Sequence, residues 1–309
     1  MKTFRGIEAI PAGWPASAVS IGKFDGVHVG HRAVISELKT VAGAHGLVAV
    51  VVTFDRHPLA LLSPADCPET LVSTEQKLDL LARTEVDATV VLEFTTALAS
   101  LPPEEFIEDI LVRALRVRQV LVGRDFRFGA KGVGDVTLLQ RLGRRFGFDV
   151  RLIDDVKPDT LNRVSSSGIR GLLLAGETRS AAALLGHLPA VRGVVVHGAA
   201  RGRELGFPTA NLSAESEGLI PADGVYAGWL TDDGTRYPAA ISVGNNPTFD
   251  GVAQKQVEAY VLDREIDLYD HVVDVEFQEH IRGMVAFTGI EPLIAQIRDD
   301  VDRVRDLLA

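Results

Sequence analysis

Two short stretches carry residues able to handle nucleotide phosphates, and they differ in design. The first, GKFDGVHVGH from Gly22 to His31, sets His28 and His31 three positions apart with Gly30 between them. At a helix start that spacing puts both imidazoles on one face. Gly30 leaves room for a phosphate, and the helix N-terminus adds oriented N–H groups and partial positive charge. Such a site can hold a triphosphate while its α-phosphorus is attacked, chemistry that needs charge stabilisation and geometry more than covalent help. The bland alternatives are a surface histidine pair or half of a metal site, and the sequence has no matched cysteine or third-histidine cluster to complete the latter. The second stretch, RGRELGFPTAN from Arg201 to Asn211, sets Thr209 and Asn211 on a turn after a glycine-rich strand end. A hydroxyl and an amide oxygen are hard ligands suited to Mg²⁺. Gly198, Gly202 and Gly206 let backbone approach phosphate closely. Two phosphate sites in one polypeptide point to two sequential reactions on related substrates.

Other strings support the first site. TFDRHP (Thr53–Pro58) and VGRDFRFGAKGVGD (Val122–Asp135) directly follow predicted strands. Arg124, Arg127 and Lys131 place charge around Phe126 and Phe128, the pattern of a substrate loop or of a solvated loop with one buried aromatic. RVSSSGIR (Arg163–Arg170) offers hydroxyls and two guanidiniums ahead of a helix over Ile169–Leu174, and by itself also reads as a helix cap. Lys23 either adds a phosphate contact or is solvated. Glu258, in VEAYVLD, is by itself a strand-surface carboxylate.

The elements that must position these residues alternate strand and helix through about residue 185. Ala18–Ile21, Leu47–Phe54, Ala88–Phe94, Gln119–Gly123 and Asp149–Ile153 read as strands. Helical periodicity covers His31–Ala42, a capping box at Ser73 and Gln76 opens another helix, Pro102 and Pro103 start a third, and Thr137–Phe146 is a fourth. This order predicts an open parallel α/β sheet whose ligands bind at the strands' carboxyl ends. Beyond Gly186 the pattern changes to short β runs: Val191–His197, Gly224–Leu230, Tyr237–Val243, Gln256–Leu262 and Val272–Phe277. These predict an antiparallel barrel or sandwich, followed by an amphipathic helix over Glu291–Leu308. LLGHLPAVRG is the expected linker, with domains at 1–185 and 186–309.

Taken in order, GKFDGVHVGH, TFDRHP, VGRDFRFGAKGVGD and RVSSSGIR resemble the adenylyltransferase half of bacterial bifunctional riboflavin kinase/FAD synthetases. GFPTAN resembles the PTAN motif of the kinase half, and the similarity spans essentially the whole chain. The resemblance implies an N-terminal Rossmann-like nucleotidyltransferase domain of HUP type and a C-terminal riboflavin-kinase β-barrel with a terminal helix. It implies that His28 and His31 act on ATP with Gly22, Phe24, Asp25, Gly30, Ser166, Ser167 and Arg170. Asp125, Phe126, Phe128, Phe54 and His57 would lie at the flavin. In the kinase half it implies nucleotide contacts from Gly202, Gly206, Thr209 and Asn211, the last two with Mg²⁺. Glu258 would be the general base, and Tyr226, Arg282 and Phe287 would shape the flavin site. The implied substrates are riboflavin, FMN and ATP, with FAD as product. The rival expectations are a single-activity kinase with a degenerate nucleotidyltransferase domain, and a flavin-binding regulator without turnover.

Composition narrows the partners. The chain has 309 residues, 46% of them apolar, enough for two cores, and a formal net charge of −10. That charge lacks the basic footprint of a nucleic-acid or anionic-membrane binder. Cys67 is the single cysteine, so no intramolecular disulfide and no cysteine-based zinc site are expected. No signal-peptide pattern opens the sequence and no apolar run is long enough to span a bilayer, so a cytoplasmic protein is expected.

Overall fold

The computed structural model describes residues 1–153, 164–198, 205–245, 255–264 and 266–309. Contacts divide the chain into two units, Met1–Thr70 with Thr74–Ser165, and Leu71–Ser73 with Ser166–Ala309. The helices Ser166–Leu174 and Thr178–Leu185 therefore group with the second unit, whereas the sequence boundary left them in the first. One local reason is the hydrogen bond from the Ala222 N–H to the Leu173 carbonyl at 3.0 Å. The expected linker is itself ordered. Its first residues end the Thr178–Leu185 helix at Gly186, and its last residues begin a strand at Ala190.

The first unit is a six-stranded parallel sheet. Its strands are β1 (Lys2–Arg5), β2 (Ser17–Ile21), β3 (Val48–Phe54), β4 (Ala88–Leu92), β5 (Val117–Gly123) and β6 (Asp149–Ile153). Their order is β1-β4-β3-β2-β5-β6. Val50 and Val52 of β3 join one core with Ile107 and Leu111, while Ala49 and Val51 join another with Ile35 and Leu38. Both faces are covered, which is why the run reads as continuously apolar. The Val29–His45 helix buries Ile35, Leu38, Val41 and Ala42, the stripe its periodicity predicted. From β2 the chain steps through β3 to β4, then returns to lay β5 on the other side of β2. That reversal makes the carboxyl ends of β2 and β5 a topological switch point, where open α/β sheets place ligands.

The second unit is a closed antiparallel barrel. Its strands are β7 (Ala190–Val196), β8 (Ala210–Leu212), β9 (Gly224–Asp232), β10 (Thr235–Asn245), β11 (Lys255–Val261) and β12 (Val272–Arg282). They close in the order β10-β11-β8-β7-β12-β9. Alternate residues, among them Ile241, Val257, Ala259, Val275 and Phe277, fill the interior. Closure rather than a sandwich removes every sheet edge. The terminal helix Ile290–Leu308 lays Val301 and Val304 against Ala227, Leu262 and Ile281.

Candidate active sites

In the first unit, GKFDGVHVGH leaves the carboxyl end of β2 and enters the Val29–His45 helix through a contorted turn. Phe24, Gly26 and Val27 all adopt positive φ, at 49°, 78° and 40°. A β-branched residue there is strained by roughly 1–3 kcal/mol. Burial holds the turn, with Val27 only 1% and Phe24 only 2% exposed. The turn delivers His28 to the helix N-cap, where its Nδ1 accepts the His31 N–H at 3.3 Å. The two imidazoles stack, with ring centroids 3.6 Å apart and planes inclined by 14°. Phe24 packs beside His31 at 5.1 Å.

Gly30 sits against the stacked pair. A Cβ there would lie 3.2 Å from two atoms of the His28 ring, so it would press the ring aside by a few tenths of an ångström. Burial lowers the pKa of His28 to about 4. His31 is held well below 6.5, by burial first and then by the charges of His28, Lys23 and Lys77. Both rings are neutral near pH 7. Since His28 Nδ1 accepts, its one proton sits on Nε2, available as a donor.

Neighbouring loops complete this corner. The Thr53 hydroxyl donates to the Lys23 carbonyl at 3.1 Å, and Lys23 Nζ lies 3.3 Å from His57 Nε2. Asp55 accepts the Phe94 N–H at 2.8 Å through its side chain. Phe54 packs edge-on against Phe94, with centroids 5.4 Å apart. A cavity of about 590 Å³ adjoins this loop, lined by Arg5, Asp55, Leu92, Leu98 and Ile110 among others. Sequence reasoning missed Lys77. Its buried ammonium donates to the Phe54 carbonyl at 2.7 Å, and burial lowers its pKa to about 8 while Asp25 and Asp55 pull the other way. The available signal was one lysine beside Leu78 on the apolar face of the Thr74–Ala82 helix.

Several expected site residues have other surroundings. Phe24 and Asp25 are buried within the turn. Phe128 is a core residue, 5% exposed, packed on Phe126 and Phe106. Its backbone is pinned to Gly134 by two hydrogen bonds of 3.1 and 3.0 Å. Asp125 is exposed and Phe126 half-buried on the same loop. Ser166, Ser167 and Arg170 lie on the Ser166–Leu174 helix of the second unit. Arg163 lies outside the described residues, as does Gly202.

In the barrel, Thr209, Asn211 and Glu258 converge. Strand pairing sets Asn211 of β8 opposite Glu258 of β11. The Thr209 hydroxyl donates to Glu258 Oε2 at 3.3 Å, and Asn211 Nδ2 donates to the Thr209 carbonyl at 3.1 Å. A Cβ at Gly198 would come within 2.5 Å of the Asn211 amide, so the glycine makes room for that side chain. Gly206 occupies a left-handed turn just before this group, at φ 85°. The cluster offers hydroxyl, amide and carboxylate oxygens, a donor set that fits a hard cation such as Mg²⁺. Among the described residues no group of three or more His, Cys, Asp or Glu forms a metal cluster.

Two residues expected at the flavin make contacts within the barrel unit. Tyr226 is fully buried, with its hydroxyl donating to the Ala222 carbonyl and its ring against Phe277 and His280. Burial pushes its pKa up to about 12. Arg282 is bound to Asp300 of the terminal helix by contacts of 2.6–3.0 Å, so it ties the end of β12 to that helix. Phe287 is half-buried on the segment between β12 and the terminal helix.

Comparison with known proteins gives a consistent picture. Residues 11–168 match the FAD synthetase family, and residues 185–308 match the riboflavin kinase family. The bifunctional riboflavin kinase/FMN adenylyltransferase of Listeria monocytogenes is 37% identical over 94% of this chain and 92% of its own. The protein of the same name from Escherichia coli is 37% identical over 97% and 96%. A solved structure described as a macrolide-efflux protein from Streptococcus pneumoniae covers 99% of each chain, with a TM-score of 0.88 and 30% identity. No helix among the described residues is long and apolar enough to cross a membrane.

Proposed function

The chain belongs to the bifunctional riboflavin kinase/FMN adenylyltransferase family, and from that premise we propose how its own residues divide the work. The enzyme phosphorylates riboflavin with ATP to give FMN and ADP, then adenylylates FMN with a second ATP to give FAD and pyrophosphate. With both families matched, neither a lone kinase nor a regulator without turnover is favoured.

In the kinase step, Glu258 is the general base. It takes the proton of the flavin's ribityl hydroxyl as that oxygen attacks the γ-phosphorus and ADP leaves. The hydrogen bond from Thr209 to Oε2 holds the carboxylate in one orientation. Thr209 and Asn211 would hold Mg²⁺, which supplies charge neutralisation at the phosphates when bound. In the adenylyl step, an oxygen of the FMN phosphate attacks the α-phosphorus of ATP. The bond to the bridging oxygen breaks, and pyrophosphate leaves with the electron pair. That phosphate is largely ionised at pH 7 and needs no base. His28 and His31 act as neutral N–H donors to the phosphate oxygens. The flavin lies against Phe126, Phe54 and His57. Work on small molecules in the cytoplasm, without nucleic acid or membrane, accords with the acidic composition, pI about 5.3.

The observation that carries this reading is that each unit holds its own polar constellation, the stacked histidines in one and the Thr209–Asn211–Glu258 cluster in the other. Chromatography of products from riboflavin with MgATP, and from FMN with MgATP, tests it. Glu258→Ala should abolish FMN formation and leave FAD formation from supplied FMN. His28→Ala should do the converse. Parallel loss of both activities in a folded variant would refute independent sites.

A further inference from the structure

We infer that Lys23 and His57 form a two-donor clamp for a phosphate oxygen of a substrate in the first unit, an inference that rests on the adenylyltransferase reading above. The backbone N–H of Leu59 donates to His57 Nδ1 at 3.1 Å. A backbone N–H can only donate, so Nδ1 carries a lone pair and the proton of the neutral ring sits on Nε2. Lys23 Nζ approaches that same Nε2 at 3.3 Å. An ammonium has three donors and no acceptor. Both groups thus present protons, and the contact between them is not itself a hydrogen bond. They converge on an acceptor. An anionic oxygen seated against both takes one proton from each and offsets the ammonium charge, which a neutral carbonyl would not.

The surroundings agree with that ligand. Lys23 lies two residues beyond the end of β2, its carbonyl accepts from Thr53 of β3 and its ammonium meets His57, so the loops after β2 and β3 meet at one level. The Lys23 charge reaches His31, as does that of buried Lys77. The clamp therefore belongs to the electropositive corner built around the stacked histidines. The spacing of His28 and His31 does not by itself specify either member. Two sources carry the required oxygen, the polyphosphate tail of ATP and the 5′-phosphate of FMN.

The test is steady-state FAD formation by the parent, Lys23→Met, Lys23→Arg, His57→Gln and the Lys23→Met/His57→Gln double variant. Urea unfolding followed at Trp14 in a Trp229→Phe background serves as the folding control for the first unit, and calorimetry reads binding of inorganic pyrophosphate. Lys23→Met should raise the KM of one substrate about tenfold, the scale of one charge-assisted hydrogen bond, with kcat changing less. Lys23→Arg should recover most of that loss. His57→Gln should cost less in the Lys23→Met background than alone, because the two share one ligand. A raised KM for ATP with weakened pyrophosphate binding assigns the clamp to the ATP tail. A raised KM for FMN alone assigns it to the FMN phosphate. Unchanged KM for both substrates, with FAD still formed, overturns the clamp and leaves the functional reading standing. No FAD from the parent overturns the functional reading itself.

Discussion

Acidification should destabilise the first unit through His28. Its side chain is 6% exposed, and burial lowers its pKa from 6.5 to about 4. The folded value lies below the unfolded one, so folding favours the neutral ring. That contribution is whole above pH 6.5 and is lost as the pH falls toward 4. At about 1.36 kcal/mol per pH unit the loss comes to roughly 3 kcal/mol by pH 4, a large share of a domain stability of ~5–15 kcal/mol. His31 shifts in the same direction and adds to it. The comparison protein is His28→Asn. Asparagine is a favoured N-cap whose amide oxygen can take the His31 N–H, and it does not titrate. The chain has two tryptophans, and Trp14 lies in the first unit's core while Trp229 lies on β9 of the barrel. In a Trp229→Phe background, fluorescence reports the first unit alone. Urea unfolding at pH 7 and pH 4 should show the His28 protein losing roughly 2–3 kcal/mol more than its His28→Asn counterpart. Equal losses would refute the neutral, buried histidine.

Gly30→Ala should lower FAD formation about 10–100-fold while riboflavin phosphorylation continues, because the new Cβ presses on the His28 ring and displaces a positioned donor. Product chromatography reads it, and undiminished FAD formation would show that the ring's position does not matter. Arg282→Ala should destabilise the barrel by about 3 kcal/mol, since it leaves the Asp300 side chain, 7% exposed, without its guanidinium. Urea unfolding followed at Trp229 reads that loss, and adding Asp300→Asn should recover part of it. Lys77→Met should move the acid limb of the FAD-formation pH profile to higher pH, because it removes a positive charge that holds His31 below its ordinary pKa. An unmoved limb would mean that His31 does not set it.

What the sequence disclosed depended on how local each determinant was. β3 and β4 were legible because strands covered on both faces need apolar residues at every position. The barrel strands were legible as short β runs between turns, and closure followed from pairings that such runs do not encode. β1 was missed because KTFR has no apolar run and lies at the sheet edge, paired only with β4. β8 was missed because three residues carry too little pattern. The helices after Ser165 looked like the end of a βα series, yet their grouping depends on contacts with residues far along the chain. In the sites, the histidine spacing correctly implied a shared helix face. The resemblance named Tyr226 and Arg282, and it carried no sign that their side chains also pack in the core and pair with Asp300. Lys77 escaped notice because a lysine in a helix ordinarily marks a solvated face.

The two sites are secured by different physics. The first depends on backbone strain. Positive φ at Phe24, Gly26 and Val27 is affordable only because Phe24 and Val27 are packed into a core, so the histidine pair is only as well placed as that packing. The second depends on parity. Val257, Ala259 and Val261 of β11 face the barrel interior, which forces Glu258 outward. Ala210 and Leu212 do the same for Asn211 on β8. Two ladder pairs join β8 to β11 and two join it to β7, too few to hold register alone. The closed barrel supplies the rest, because a slip of one residue would turn Glu258 into the core and Val257 out to solvent. The carboxylate therefore stays opposite Asn211 through the hydrophobic residues on either side of it.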